Sequence, residues 1–220
     1  MKNLFLVFFL IIIGCQQNNS TPRKVKSLEG KNEQSKKKED ISQLLTGGIY
    51  SKNQIKDCFL DFKFGDSKSV VSSKTKKYLR IKKLAKKPPY SGAQFKSLLY
   101  NFKLRESTIS FAVFFEFTNK NELYKVVLGN ISYPGYPGGI LNEEFEEIVS
   151  VYKEKYKTKW YFDKYLRNNS NMVNFEFYNL EGNRYISINH FSSNVSISYT
   201  NLTLEENFKK DNLNSSKKDI

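Results

Sequence analysis

Histidine is almost missing from this chain. His190 stands alone, beside two cysteines (Cys15 and Cys58) and one tryptophan in 220 residues. One imidazole and two thiols cannot assemble a Cys/His zinc set, and HExxH cannot occur. No metal and no cofactor are therefore expected. GxSxG and SxxK are also lacking, so no serine carries a nucleophile signature, and His190 is the only imidazole base. Glycine is sparse, and the one glycine-rich loop, YPGYPGG (133–139), lacks the Lys and Ser/Thr of a phosphate loop. Long apolar runs are scarce too. The one that stands out is Leu4–Ile13, ten residues long. As a helix it covers about 15 Å, half of the about 30 Å hydrocarbon core, so it is too short to span.

That run follows Lys2 and ends in Gly14-Cys15, the n-region, h-region and small-residue order of an export signal. Ile12-Ile13-Gly14-Cys15 resembles the lipobox of bacterial lipoproteins. The resemblance implies cleavage before Cys15, diacylglycerol on its thiol, and a further acyl chain, such as palmitate, on the new amino group. Two or three chains anchor durably where one holds marginally. Gln16 is not the aspartate that retains lipoproteins at an inner membrane. The resemblance thus implies an envelope protein, on the outer membrane facing the periplasm where there are two membranes. With Cys15 committed to lipid, Cys58 has no disulfide partner and reads as a buried, inert thiol.

Positive charge dominates, with 36 Lys/Arg against 22 Asp/Glu and a net charge of +14. Residues 66–87 hold nine Lys/Arg against Asp66 alone, a local charge of +8. Residues 15–43 are polar and charged, too poor in apolar surface to offset ordering entropy, and read as a lipidated N-terminus and tether after the signal at 1–14. Residues 207–220 read as a tail for the same reason. The domain expected between them, 44–206, is long enough to bury a real core, and 18 Phe with 14 Tyr favour sheet.

Within it, FLDFKF (59–64) reads as a strand. Asp66 or Ser67 can cap a helix over 68–86, which Pro88-Pro89 stop. Strand-like runs follow at 96–104, 107–118 and 122–131, the last two joined by the TNKN turn. ISFAVFFEF is apolar enough to suggest a strand covered on both faces. Asn142 can cap a second helix over 142–157. Its apolar face is Phe145, Ile148, Val149, Tyr152 and Tyr156, with glutamates early and lysines late to suit the helix dipole. Trp160 opens a short strand or turn. VNFEFYN, RYISINHF and NVSISYTNL complete the set, with 180–183 as a turn. The expected fold class is α+β: mainly antiparallel sheet with two helices, read as a helix-plus-three-strand unit occurring twice. Phe115-Glu116-Phe117-Thr118-Asn119 rhymes with Phe175-Glu176-Phe177-Tyr178-Asn179, 60 residues on.

This order, with the strand–Gly–polar–helix transition at Phe64, Gly65, Asp66, Ser67 and Val70, is similar to small envelope lipoproteins and inhibitor-like proteins built from helix-plus-sheet repeats. That resemblance implies a protein-binding or envelope-assembly module rather than an enzyme.

For contact, Lys76, Arg80, Lys83 and Lys87 fall on one helical stripe, opposite Val71, Tyr78, Ile81 and Ala85. Such a stripe near a membrane suits anionic lipid, an acidic polymer or another envelope protein, and the export address weighs against nucleic acid. Tyr133 and Tyr136, in the YPGYPGG loop, form a second contact candidate. Two other readings stay open. One is an envelope hydrolase with a carboxylate pair, drawn from Glu116, Glu176 or the cluster Glu143, Glu144, Glu146 and Glu147. The other is an inhibitor or immunity-type protein that binds a partner on its sheet.

Overall fold

The computed structural model describes residues 41–86, 98–130, 140, 142–166, 173–191 and 194–216. Helix α1 covers 41–49, followed by α2 (Lys68–Arg80), β1 (Ala85–Lys86), β2 (Leu98–Lys103), β3 (Thr108–Phe117) and β4 (Leu123–Asn130). Then come α3 (Asn142–Lys155), β5 (Trp160–Leu166), β6 (Val173–Glu181), β7 (Arg184–Phe191), β8 (Asn194–Asn201) and α4 (Leu202–Ser216). The eight strands form one antiparallel sheet in the order β1-β2-β3-β4-β8-β7-β6-β5. The expected α+β class with an antiparallel sheet is what the chain adopts.

Two meanders thus meet at β4 and β8, each preceded by one sheet-packed helix. Helix plus four strands occurs twice, and β4 and β8 begin 71 residues apart, at Leu123 and Asn194. The Phe-Glu-Phe rhyme does not follow this spacing. It equates β3 with β6, whereas the topology equates β3 with β7. What the two rhyming segments share is a hairpin device: a glutamate on one strand accepts from a tyrosine on the next. Tyr124 donates to Glu116 at 2.7 Å and Tyr185 to Glu176 at 2.9 Å.

Side chains alternate between the sheet's two faces. Phe111, Val126, Leu128, Ile186, Ile188, Ile197 and Tyr199 point to the face that α2 and α3 cover, and each is at most 1% exposed. Phe145 of α3 stacks on His190, and Phe62, ahead of α2, meets Tyr78 and Phe115. The Tyr152 and Tyr199 hydroxyls, 2.5 Å apart, tie α3 to β8 in the middle of the core. Burial holds both phenols well above their ordinary value of 10.

Residues 59–64 are not a strand. Leu60 takes a left-handed backbone (φ 55°), and a turn closed by the Asp57–Lys63 bridge sends Phe59, Phe62 and Phe64 all into the core. Cys58 is buried in the same turn, as expected. Its thiol donates to the Phe62 carbonyl at 3.1 Å, and burial pushes its pKa up to about 12.

The first sheet-packed helix begins as expected, with Ser67 Oγ accepting from the Val70 amide, but it ends at Arg80 rather than near 86. Lys82 is left-handed (φ 57°), the Lys83 amide donates to the Tyr78 carbonyl, and the Lys82 amide to that of Leu79. That is a Schellman C-cap with lysine where glycine is usual. Leu84 is then buried, and Ala85 and Lys86 pair with β2.

β3 is covered on one face only: Phe111 and Val113 are buried, while Phe114 on the other face is 54% exposed. α1 and α4 lay outside the expected two helices. α1 takes in residues 41–43 of the expected tether, and α4 takes in 207–216 of the expected tail. α4 holds through Asn201 Oδ1, which accepts from the Leu204 amide, a Phe208–Tyr124 stack, and i,i+4 pairs Glu205–Lys209 and Glu206–Lys210. At the β6–β7 turn, Gly182 (φ 57°) lies so close to the Asn53 carbonyl that no Cβ would fit. No helix among the described residues is long and apolar enough to cross a membrane.

Candidate functional site

The basic segment keeps its exposure but not its stripe. Val71 and Tyr78 of α2 face the core as expected, whereas Ile81 is 52% exposed and Ala85 lies on β1. Lys76 and Arg80 sit one turn apart on the outward side of α2. Lys83 belongs to the turn beyond the Schellman cap, its ammonium 5.9 Å from the Tyr78 ring centre. Four-in-line geometry is therefore lost, because the helix stops before Lys83. Lys87, Tyr133, Tyr136 and Cys15 lie outside the described residues.

Neutralisation within the segment is uneven. Asp66 accepts from Lys74 at 2.7 Å, and Asp61 pairs with Lys77 at 3.2 Å. Ion pairs and the Tyr78 hydroxyl hold the Asp61 carboxyl below its ordinary range against a desolvation that opposes them. Lys76, Arg80, Lys82, Lys83 and Lys86 are exposed and make no ion pair among the described residues. What remains is a compact basic surface over the outer side of α2 and its C-terminal turn.

Beside it runs an apolar groove of about 560 Å³ between α2 and the free edge of β3. β2 pairs with β3 only as far as Val113, which leaves Phe114–Phe117 beyond it. Val71, Leu79, Leu98, Val113, Phe115 and Phe117 supply apolar walls, and Lys68 and Lys86 stand at the groove. The Lys68 ammonium lies 5.6 Å from the Phe117 ring centre. Sequence reasoning missed this groove, since it depends on where β2 stops pairing. The signal that was present is the helical spacing of Lys68, Val71, Thr75 and Leu79 along one flank.

A second cleft, of about 900 Å³, lies between α1 and β5–β6. Ile41, Leu44, Tyr161, Phe162 and Leu180 line it, with Tyr161 stacked on Tyr178 at 5.1 Å and Lys159 over Tyr161.

The carboxylates divide by role. Glu144 Oε1 accepts from Ser107 Oγ at 2.7 Å, and Glu147 Oε1 accepts from the Arg105 amide at 2.8 Å. Half of the α3 cluster therefore fastens the β2–β3 turn. Glu116 and Glu176 share the uncovered face but are four strand positions apart, about 19 Å at ordinary strand spacing. They are too far apart to flank one glycosidic bond. Glu176 has a nearer neighbour, Asp163, directly across from it on β5. Burial pushes the Glu176 carboxyl up, and Asp163 adds to the shift.

His190 is buried, with its Nε2 unpartnered and its ring stacked 4.6 Å from Phe145; desolvation lowers its pKa. Among the described residues no group of three or more His, Cys, Asp or Glu side chains could hold a metal ion.

The uncovered face is polar and small-featured, with Ser110, Ala112, Gly129, Ser196, Ser198 and Ser187 across its middle. Phe114 is the one large apolar side chain there that is mostly exposed among the described residues. No protein-family model, curated protein or solved structure matches this chain.

Proposed function

We propose that this chain is a lipid-anchored envelope protein that acts by binding, and that it rests its α2 side on anionic membrane lipid. The export signal ending at Cys15 supports the anchor. One observation carries the choice of surface: Lys76, Arg80, Lys82, Lys83 and Lys86 are grouped, exposed and unpaired, while the acidic groups nearby are occupied by Lys74 and Lys77. Each Lys or Arg close to an anionic bilayer contributes about 1 kcal/mol. Two or more acyl chains on Cys15 would hold the domain within reach of that surface.

The test uses the chain with Cys15→Ser, which carries no lipid, and vesicles containing anionic phosphatidylglycerol. Lys76→Glu, Arg80→Glu and Lys83→Glu together should weaken co-sedimentation by about a hundredfold or more at low salt. Wild-type binding should fade as the Debye length shrinks from about 10 Å at 0.1 M to about 3 Å at 1 M salt. Binding that ignores both changes refutes the reading.

A second reading, an envelope hydrolase, draws on the Asp163–Glu176 pair. Residues directly opposite on neighbouring strands have Cβ atoms about 4.5–5.5 Å apart, within the range of paired catalytic carboxyls. Glycan hydrolysis that Glu176→Gln abolishes would favour it over the binding reading.

A further inference from the structure

The groove beside α2 has a chemistry of its own. Its floor and walls are apolar: Val71 and Leu79 come from α2, Leu98 from β2, and Phe115 and Phe117 from β3. Its charged members are both cations, Lys68 at one point and Lys86 at another. Both lysines are exposed and neither makes an ion pair among the described residues, so an incoming anion displaces no partner there. The Lys68 ammonium is already poised over the Phe117 ring, so charge and apolar surface meet at one spot. The volume, about 560 Å³, lies within the about 300–1,000 Å³ range of small-molecule sites.

An apolar slot with cations at its margin matches one kind of ligand best, an acyl chain that ends in an anionic head. A purely apolar peptide would leave the two lysines unused. An acidic polymer would leave Phe115, Phe117 and Leu98 unused. We propose that the α2–β3 groove takes a single acyl chain of an anionic membrane lipid, with its head group held by Lys68 and Lys86. This rests on the reading that the α2 side meets the membrane, and it names what that side takes hold of once there. Lys76 and Arg80 would bring the surface to the bilayer by charge, and the groove would then extract or clasp one chain.

The two claims separate experimentally. The probe is lauroyl-lysophosphatidylglycerol, kept below its micelle concentration and titrated calorimetrically into the chain carrying Cys15→Ser. Saturable binding near one molecule per chain is expected. The ten-carbon analogue should bind about fifteenfold more weakly, since each buried methylene is worth about fourfold. The zwitterionic choline analogue should also bind more weakly. Ser72→Trp, on the exposed flank of α2 at the groove, should block uptake. Lys68→Glu with Lys86→Glu should remove the preference for the anionic head.

None of these changes touches Lys76, Arg80 or Lys83. Vesicle binding that survives them while monomer uptake is lost therefore supports the groove. No uptake by the wild-type chain, or affinity indifferent to chain length, overturns the groove claim and leaves the membrane reading standing. Uptake that persists in a folded Ser72→Trp chain also overturns it. Should Ser72→Trp fail to fold, the Lys68/Lys86 variant decides: an unchanged anionic preference overturns the claim.

Discussion

Tyr152 and Tyr199 offer the sharpest test of how the helical layer is held to the sheet. Their hydroxyls meet at 2.5 Å in the core, and the Tyr199 hydroxyl also has Tyr156 within hydrogen-bonding reach. The two single Tyr→Phe changes are therefore unequal. Tyr152→Phe leaves Tyr199 with Tyr156, so it should cost a net hydrogen bond, about 1 kcal/mol. Tyr199→Phe strands the fully buried Tyr152 hydroxyl, which should cost about 2 kcal/mol. The double variant removes both oxygens, keeps both rings, and leaves only the half-buried Tyr156 hydroxyl to find water. It should cost about 1 kcal/mol, well short of the about 3 kcal/mol sum of the singles. Urea unfolding followed by ellipticity would measure all four stabilities, with equal slopes as the check that the unfolding reaction is unchanged. Additive costs would refute the reasoning, because they would mean that neither hydroxyl depends on the other.

Two further outcomes follow from the core and the α2 cap. Lys82→Gly should stabilise the chain by about 1 kcal/mol by relieving the left-handed backbone at the Schellman position, whereas Lys82→Ala should not; equal effects in urea unfolding would contradict the cap. His190 is buried neutral, with its folded pKa below the ordinary 6.5, so the unfolded chain takes up its proton first as pH falls. Its contribution is complete above about pH 6.5 and is lost below it, down to the folded value, at no more than about 1.4 kcal/mol per pH unit. His190→Leu should flatten that part of the pH–stability curve between pH 7 and 5, and a curve of unchanged slope would contradict the assignment.

Much of this fold is legible in the residues. α3 shows its buried face at i, i+3/i+4 and i+7 spacing, and β7 and β8 alternate cleanly. Ser67 marks the start of α2, and the Asn121 turn (φ 62°) falls within the expected TNKN segment. What was illegible has physical reasons. Lysine rather than glycine occupies the α2 C-cap, so nothing in the sequence announces the stop before Lys83. Leu60 in a left-handed backbone turns an apparent strand into a core-filling turn. α4 is polar, and its order comes from Asn201, Tyr124 and Phe208, tertiary contacts that periodicity does not register. The antiparallel junction of β4 and β8 brings together segments 71 residues apart, and the groove exists only because β2 stops pairing at Val113. The candidate site was thus half visible: the basic residues could be named from their order, but the apolar slot beside them could not.

The central claim is that the α2 side faces the bilayer. Site-directed photo-crosslinking tests it directly, in vesicles bearing the lipidated chain. A photoreactive group at position 76 should label lipid, and one at position 110, on the uncovered sheet face, should not. Equal labelling at the two positions, or labelling at 110 alone, would contradict the account.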